Sequence, residues 1–341
     1  SALKHGKVLT CGYRTPMKAI AYHQTSGPFT EIDLPEPTPG PRDLVVEVRA
    51  VSVNPVDTKL HHGADPGGEP KVLGFDAAGV VTAVGDEVTL FAVGDEVMEA
   101  GSILRPGTNA QYHVVDERIV GRKPSTLDWA EAAALPLTAI TAWESLFDRF
   151  RLPDGRSRTL LVMGAAGGVG SMVLQYARAL TDLTLIGTAS REASRDWATA
   201  MGAHHLADHH DLVASVREVA PDGVDLVFSP FTEGMIETYA ELLNPGGGIV
   251  AIDEPEGLET LPLKDKSLAL HWELMFTRPM FEPADMVAQH ELLDRTAELV
   301  EAGTIRTTLS DRLDGLTPET LQRAHELVES GRMTGKVAIT V

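Results

Sequence analysis

Residues 159–170 read TLLVMGAAGGVG, an apolar run that leads into a glycine-rich turn, and the helix-like run 171–180 follows directly. A backbone that turns sharply from strand to helix and approaches a pyrophosphate needs small residues, because side chains would occupy the space between the two. The free N–H groups at the start of the helix then face the anion. The stretch therefore predicts the first strand, turn and helix of a dinucleotide-binding unit.

In the register of the dinucleotide motif the turn reads A-x-G-x-x-G, with an alanine at the place of the first glycine. The cofactor-binding residues predicted in this turn are Ala165, Gly167, Gly168, Val169 and Gly170. The alternative is a glycine-rich turn that binds no ligand, and the β–α units that follow it argue against that alternative.

Strand-like and helix-like segments alternate after this turn. The strand-like runs are 159–163, 183–188, 224–228 and 248–252, and the helix-like runs are 168–181, 192–201, 211–219 and 233–243. Such alternation is typical of a parallel sheet that is covered by helices on both faces. Ligands of these sheets bind at the carboxyl ends of the strands, so Ser229, Phe231 and Ile252 are predicted to line the cofactor pocket.

The second strand of this unit indicates which cofactor binds. A site that prefers NAD usually carries an acid about 20 residues beyond the glycines, on the ribose hydroxyls. Here the strand ends with IGTASR, residues 186–191, and no acid stands at its tip. Ser190 and Arg191 are predicted to hold the 2′-phosphate of NADPH, with Arg195 one turn later. The alternative is an exposed arginine that starts a helix.

The rest of the chain has a β-rich character. We predict an N-terminal extension over 1–16, a β-rich unit over 17–131, an inserted α/β unit over 132–279 and a return to the β-rich unit over 280–341. Short apolar runs separated by Gly, Pro and Asp indicate strands in the first unit. The predicted fold class is thus α/β, with a parallel-sheet cofactor domain inserted in a β-rich domain.

Composition excludes several classes of protein. The length of 341 residues suits two domains at about 150 residues each. The 29 lysines and arginines against 49 acidic residues give a net charge of −20, which disfavours binding to nucleic acids or anionic membranes. One cysteine, Cys11, excludes an internal disulfide framework and a zinc site of several thiolates. We expect a cytoplasmic protein.

The glycine turn occurs together with three further motifs: NPVDTK at 54–59, GFDAAGVV at 74–81 and LTAITAW at 137–143. With these motifs the chain resembles the medium-chain dehydrogenase/reductase superfamily, and more closely its zinc-independent quinone oxidoreductase branch, which includes a group labelled zinc-type alcohol dehydrogenase-like. The resemblance implies a GroES-like catalytic domain, an inserted Rossmann domain and a cofactor cleft between them. Members of the branch are commonly homodimers or homotetramers, and we expect a homodimer.

The chain departs from the zinc alcohol dehydrogenases at the metal ligands. It has Asn54 to Asp57 where those enzymes place a catalytic cysteine, and Gly74-Phe75-Asp76 where they have Gly-His-Glu. No metal site is therefore predicted. The histidine pairs at 61–62, 204–205 and 209–210 are interpreted as exposed polar loops, the last two away from the site of hydride transfer.

Three catalytic residues are predicted, two of them from the resemblance, whereas many members of the branch have tyrosine at the place of the third, Lys59. Asn54 matches the active-site Asn of the branch, Thr141 matches a threonine beside the nicotinamide, and Lys59 is the candidate cation for the negative charge that develops on the acceptor oxygen. The respective alternatives are a turn-forming Asn, a surface Lys and a core Thr. Asp57 is expected to cap a helix, and Arg278 to form a surface ion pair.

Without zinc, the reaction must use an acceptor that takes up hydride readily. Quinones and α,β-unsaturated carbonyl compounds do so, because the incoming charge delocalises onto a conjugated oxygen. The predicted function is NADPH-dependent reduction of such a small molecule. The alternative is an NADPH-binding sensor or interaction protein with little turnover.

Overall fold

The computed structural model describes residues 16–341. The predicted extension over 1–16 lies outside the described residues, except for Pro16, which begins the first strand.

The β-rich unit contains eight strands before the parallel sheet begins. They are β1 (Pro16–Tyr22), β2 (Thr30–Pro35), β3 (Asp43–Val53), β4 (Lys71–Val72), β5 (Asp76–Val84), β6 (Glu96–Glu99), β7 (Tyr112–Asp116) and β8 (Val120–Arg122). Helix α1 (Pro55–Gly63) follows β3 directly, and α2 (Trp129–Ala133) and α3 (Pro136–Trp143) lead out of the unit. The stretch DWAEAAA at 128–134 predicts a capped helix start, and Asp128 does cap α2 by accepting the N–H of Glu131 at 2.9 Å.

The inserted unit is a six-stranded sheet in the order β11-β10-β9-β12-β13-β14, and every pair in it is parallel. Its strands are β9 (Thr159–Val162), β10 (Thr184–Thr188), β11 (His205–Ala207), β12 (Val224–Ser229), β13 (Leu243–Ala251) and β14 (Ala269–Trp272). Its helices are α4 (Gly168–Leu180), α5 (Glu192–Ala200), α6 (Leu212–Val219) and α7 (Ile236–Leu242). Leu160, Leu161 and Val162 of β9 are all fully buried, because helices cover both faces of the sheet.

The chain then returns to the β-rich unit. The returning elements are α8 (Thr277–Phe281), α9 (Ala288–Glu301), β15 (Leu309–Asp314), α10 (Pro318–Glu329) and β16 (Lys336–Thr340). Strand β16 pairs antiparallel with β3, and together they belong to a seven-stranded sheet in the order β15-β16-β3-β5-β6-β8, with β7 also paired to β3. The predicted fold class, a parallel-sheet unit inserted in a β-rich domain, is confirmed. The domain boundaries remain a prediction.

Three elements differ from what the sequence pattern predicts. Helical spacing predicts a helix over 139–150, whereas α3 ends at Trp143 and a π-helical turn follows over Glu144–Arg149. The pattern also predicts a long helix over 283–303, which begins later, at Ala288. The apolar run 270–276 predicts an edge strand, and β14 does form the edge of the parallel sheet but ends at Trp272.

The largest apolar cluster joins the two units. It includes Ala50, Met98, Leu135 and Ile140 beside Leu160 of the parallel sheet, all of them fully buried. This shared core fixes the position of α3 against both sheets. Across residues 16–341, the structure contains no helix with the length and apolarity that crossing a membrane requires.

Candidate active site

A cavity of about 1600 Å³ lies between the two units. The β-rich unit contributes the start of α1 and the segment before β16, and the parallel sheet contributes the glycine turn and the ends of β10 and β13. This is the place where open parallel sheets bind ligands, because the carboxyl ends of their strands meet there.

The glycine turn lies against this cavity as the motif predicts. Gly167 caps α4, and the N–H groups of Gly168, Val169 and Gly170 find no acceptor within residues 16–341. An ideal Cβ on Gly170 would lie 2.3 Å from the carbonyl oxygen of Gly164, so this position needs glycine for close packing of helix and strand. Free N–H groups at a helix start suit the pyrophosphate of a dinucleotide, so the turn fits the expected cofactor.

The end of β10 forms another side of the cavity. Ser190 and Arg191 both line it, and the Arg191 side chain is exposed. The backbone N–H of Arg191 donates to Ser194 Oγ at 3.2 Å, so the start of α5 does not depend on the guanidinium. Arg195 donates to the carbonyl of Ala189 at 3.2 Å and lies one turn further on.

Two predicted cofactor residues do not line the cavity. Ala165 is fully buried, and its Cβ faces Gly187 of β10. Ser229 is also fully buried, and its Oγ both accepts the N–H of Phe231 at 2.9 Å and donates to the Phe231 carbonyl at 2.8 Å. Both residues therefore shape the backbone of the cavity wall. Phe231, which is 58% exposed, and Ile252 do line it.

Asn54 and Asp57 are buried where α1 begins. Asp57 accepts the N–H of Asn54 at 2.8 Å, which confirms the expected cap, and it also accepts the N–H of Gly74 at 3.1 Å. Burial raises the pKa of Asp57 to about 7, while these two backbone donors and the nearby Lys336 act in the opposite direction. Asn54 lines the cavity, although it is only 1% exposed.

The other two predicted catalytic residues also line the cavity. Lys59 is exposed on α1. Thr141 is buried on α3, and its hydroxyl donates to the carbonyl of Leu137 at 2.8 Å. Asn54, Lys59 and Thr141 thus border one cavity, together with the glycine turn.

Sequence reasoning missed a buried lysine at this site. The ammonium of Lys336, at the start of β16, donates to the carbonyl of Val53 at 2.9 Å, to Oδ1 of Asn54 at 2.5 Å and to Oδ2 of Asp76 at 3.1 Å. Nδ2 of Asn54 donates to the same Asp76 oxygen at 2.8 Å. The available signal was a lysine inside a final strand of otherwise apolar character, VAIT, which alone does not reveal its partners.

The residues at the zinc-ligand positions do not fit Zn²⁺. Catalytic zinc is held by thiolate, imidazole or carboxylate ligands, whereas this chain places an amide at 54 and a phenyl ring at 75. Of the two carboxylates in these motifs, that of Asp57 already accepts two backbone N–H groups, and that of Asp76 pairs with the Lys336 ammonium, beside which a second cation would be repelled.

The histidine pairs differ from the prediction in one respect. His61 is buried on α1 and stacks on Phe29 with ring centroids 4.5 Å apart, so it does not belong to an exposed loop. His209 lines the cavity, as Arg191 does. Ligand atoms of Asp208, His209 and His210 lie within 4.8 Å of one another, but both histidines are exposed, as is common without a metal.

A second buried charge cluster adjoins the cavity, which one of its members, Glu273, lines. Arg278 donates to Glu144 at 2.5 Å and to Asp148 at 2.9 Å, and its side chain is only 12% exposed, so the expected surface ion pair is largely buried. Burial and the neighbouring Glu144 raise the pKa of Glu273 above its ordinary value, although Arg149, which donates to it at 2.8 Å, acts against this.

Comparison with known proteins agrees with this geometry. A family model described as alcohol dehydrogenase GroES-like domain matches residues 40–125, and one described as zinc-binding dehydrogenase matches residues 201–339. A zinc-type alcohol dehydrogenase-like protein of Staphylococcus aureus (strain MSSA476) is 39% identical over 97% of this chain and 99% of its own length.

Two further proteins are similar over most of the chain. The quinone oxidoreductase of Pseudomonas aeruginosa (strain PAO1) is 32% identical over 88% of this chain and 92% of its own length. A crystal structure from Rhizobium etli CFN 42, assigned as a zinc-dependent alcohol dehydrogenase protein, is 48% identical with a TM-score of 0.93, covering 96% of this chain and 99% of that one.

The chain belongs to the medium-chain dehydrogenase/reductase superfamily, and the resemblance stated from its motifs is confirmed. It is an NAD(P)-dependent oxidoreductase of that superfamily, with the GroES-like and Rossmann-type units that the fold displays.

Proposed function

We propose that this protein is a zinc-independent, NADPH-dependent reductase of quinones or α,β-unsaturated carbonyl compounds. One observation carries the proposal: the glycine turn borders the same cavity as Asn54, Lys59 and Thr141. At the positions of the zinc ligands, this cavity has instead an amide that accepts a hydrogen bond from the ammonium of Lys336. The similarity to a protein named quinone oxidoreductase supports this class of acceptor.

The residues of the chain have distinct parts in the proposed reaction. Bound NADPH supplies a hydride to the acceptor. The N–H groups of Gly168, Val169 and Gly170 hold the pyrophosphate, and Ser190 and Arg191 hold the 2′-phosphate. The cavity excludes water and brings donor and acceptor together, which accounts for much of the rate in a reaction of this type.

Lys59 and Asn54 face the acceptor in this proposal. The Lys59 ammonium stabilises the negative charge that the acceptor oxygen gains when hydride arrives. The amide of Asn54 donates a hydrogen bond at the same end of the cavity. A simple ketone or aldehyde, which cannot delocalise the charge, is expected to react poorly because the site has no Lewis acid.

The proposal is tested by mixing chelator-treated protein and NADPH with benzoquinone, phenanthrenequinone, an alkenal, an enone and a simple aldehyde, with NADH in parallel. Consumption of NADPH with the conjugated acceptors alone is the expected result. Turnover that requires added zinc would contradict zinc independence. Tight NADPH binding without turnover of any acceptor would favour the alternative of a sensor protein.

Preference for NADPH is tested with Ser190→Ala/Arg191→Ala. Charged hydrogen bonds are worth about 1.5–3 kcal/mol, so loss of the clamp weakens NADPH binding by at least about tenfold and leaves NADH binding unchanged. Arg178→Ala is the matched control, because Arg178 is an exposed arginine on α4 that does not line the cavity. Equal weakening of both cofactors would contradict the assignment.

We also propose a homodimer formed through the edge strand β14. The strand ends in Trp272, which is 53% exposed, and its outer edge has no partner strand among the described residues. Size-exclusion chromatography with light scattering, on wild-type protein and on Trp272→Glu, tests this proposal.

A further inference from the structure

The ammonium of Lys336 has no hydrogen left for a substrate. An ammonium group carries three hydrogens, and the three acceptors described above, on Val53, Asn54 and Asp76, take all of them. The side chain is 95% buried. Lys336 therefore acts on chemistry in the cavity only through the groups that it holds.

The first of these groups is the carboxamide of Asn54. Its oxygen accepts from the ammonium and its nitrogen donates to the Asp76 carboxylate. A flipped amide would point N–H groups at an ammonium and an oxygen at a carboxylate, so the ion pair allows one orientation only. Asp76 uses one of the two amide hydrogens, and the second remains for a ligand in the cavity.

The second group is the start of α3. The other oxygen of Asp76, Oδ1, accepts the N–H of Leu137 at 2.8 Å. The carbonyl of the same Leu137 accepts the hydrogen bond of the Thr141 hydroxyl. Asp76 therefore also fixes the turn of α3 on which Thr141 lies. One carboxylate thus connects α1, α3 and β16.

The third group is the glycine turn. The N–H of Gly335 donates to the carbonyl of Ala166 at 2.8 Å, which places Lys336 directly beside the turn. An ideal Cβ on Gly168 would lie 2.7 Å from Cδ of Lys336 and 3.0 Å from Cγ2 of Thr138. The lysine stem therefore packs against the backbone that is expected to hold the pyrophosphate.

We propose that Lys336, paired with Asp76, is a positioning residue for hydride transfer. It fixes the Asn54 amide and the start of α3 relative to the glycine turn, and so sets the distance between acceptor and nicotinamide. The inference rests on the proposed reductase function. A purely stabilising role is a poor alternative, because the desolvation of two buried charges largely offsets their attraction.

The kinetic test compares wild-type protein with Lys336→Met. A displacement of about 1 Å can reduce turnover by about 100-fold, so a loss of kcat of about that size is expected. The Kd of NADPH and the KM of the acceptor should change by less than about threefold, because methionine keeps an unbranched side chain against Gly168 and the lost ammonium has no hydrogen free for a ligand. Lys266→Met is the matched control, since the Lys266 ammonium likewise donates to three acceptors, all of them backbone carbonyls, but lies outside the cavity.

A double-mutant cycle tests whether the lysine acts through Asn54. In an Asn54→Ala background, Lys336→Met should reduce kcat by a smaller factor than in wild-type protein, because one of the groups that the lysine positions is already absent. A reduction by the same factor in both backgrounds would overturn the inference. Since Lys336→Met leaves Asp76 as an unpaired buried charge, the charge-free variant Lys336→Met/Asp76→Asn is measured as well, and it should fold yet keep the low kcat.

Hydrogen exchange measures the positioning without turnover. In Lys336→Met or the charge-free variant, backbone amides of residues 54–60 and 137–141 should exchange at least about tenfold faster, and those of α6 should not change. Unchanged exchange in both segments would overturn the inference even in a protein that reduces no acceptor. If the wild-type protein oxidises NADPH with none of the acceptors, the proposed function is contradicted. If the wild-type protein is active and Lys336→Met has the same kcat, only this inference is contradicted.

Discussion

Of two alanine substitutions in the glycine turn, one is expected to destabilise the protein and the other to leave its stability nearly unchanged. In Gly170→Ala, the new Cβ would lie 2.3 Å from the Gly164 carbonyl oxygen and 2.9 Å from Cα of Ala165, both of them backbone atoms. An ordinary contact begins at 3.4 Å, so helix and strand must separate by about 1 Å (3.4 − 2.3 = 1.1 Å). In Gly167→Ala the same contact, to Gly164 oxygen, is 3.4 Å and requires no movement.

The magnitudes follow from these contacts. Overpacking against backbone costs up to about 3 kcal/mol, and replacing a helical glycine by alanine returns about 1 kcal/mol, so Gly170→Ala should lose about 2 kcal/mol of unfolding free energy. Gly167 has φ −75° and ψ 173°, which alanine adopts freely. Alanine is a poorer N-cap than glycine, which lowers stability, but it also reduces the conformational entropy of the unfolded chain, which raises stability. Because the two effects nearly cancel, the unfolding free energy of Gly167→Ala should remain within about 0.5 kcal/mol of that of wild type.

Urea unfolding without cofactor, followed by tryptophan fluorescence, measures both variants. The indole of Trp197 donates to Ser171 Oγ at 2.8 Å, next to the substituted turn, so it reports on the start of α4. Binding of NADPH to Gly167→Ala should be weakened by about tenfold, because the new methyl group occupies the approach to the pyrophosphate. Equal stability of the two variants would refute the assignment of Gly170 to helix–strand packing.

Three further predictions concern buried titratable groups. The pKa of Asp57 lies at about 7 in the folded protein, above its ordinary 3.8, so the folded state binds the extra proton and stability falls as pH rises between them. Asp57→Asn should abolish this contribution, about 2 kcal/mol between pH 5 and 7, in urea titrations at the two pH values. Burial lowers the pKa of His325 to about 3, below its ordinary 6.5, so stability falls as pH decreases below 6.5. His325→Met should remove a loss of about 2 kcal/mol between pH 7.5 and 5, and an unaltered pH profile would contradict the neutral, buried histidine. Burial raises the pKa of Glu273 above its ordinary 4.5, so stability falls as pH rises above 4.5, and Glu273→Gln, which has no proton to lose, should flatten this decline in urea titrations between pH 5 and 8.

The proposed function and the positioning inference lead to a common view of the site. A zinc enzyme uses a dication to organise the cleft, and in the proposed function the 3.1 Å pair of Lys336 and Asp76, both in the β-rich unit, takes that part. The pair connects α1, α3 and β16, the three elements whose relative positions decide how the cofactor and the acceptor meet. We therefore expect the chain to show little tolerance for substitution at either position.

Much of the fold could be predicted because it depends on local patterns. The turn at 164–170, the alternation of apolar runs with helical segments, and the caps at Asp57 and Asp128 each follow from a few neighbouring residues. The π-helical turn after Trp143 could not be predicted, because helical spacing alone does not distinguish it from an α-helix.

Site residues divide in the same way. Ser190, Arg191, Phe231 and Ile252 lie next to strand ends that the pattern already predicted, and they do line the cavity. Ser229 was expected beside them but is buried, because the outcome depends on which side of the strand end its side chain faces. That direction is set by the hydrogen bonds of Ser229 with Phe231 and Tyr239.

The sequence by itself determined the class of the inserted unit, the phosphate-binding turn and the absence of the usual zinc ligands, because these are properties of residue types at short spacing. Only the tertiary structure decided the centre of the site. Antiparallel pairing of β16 with β3 sets Val337 opposite Val53 and so brings Lys336 to Asn54, 282 positions away in the chain. Register between distant strands depends on the packing of the whole sheet, which no local pattern contains.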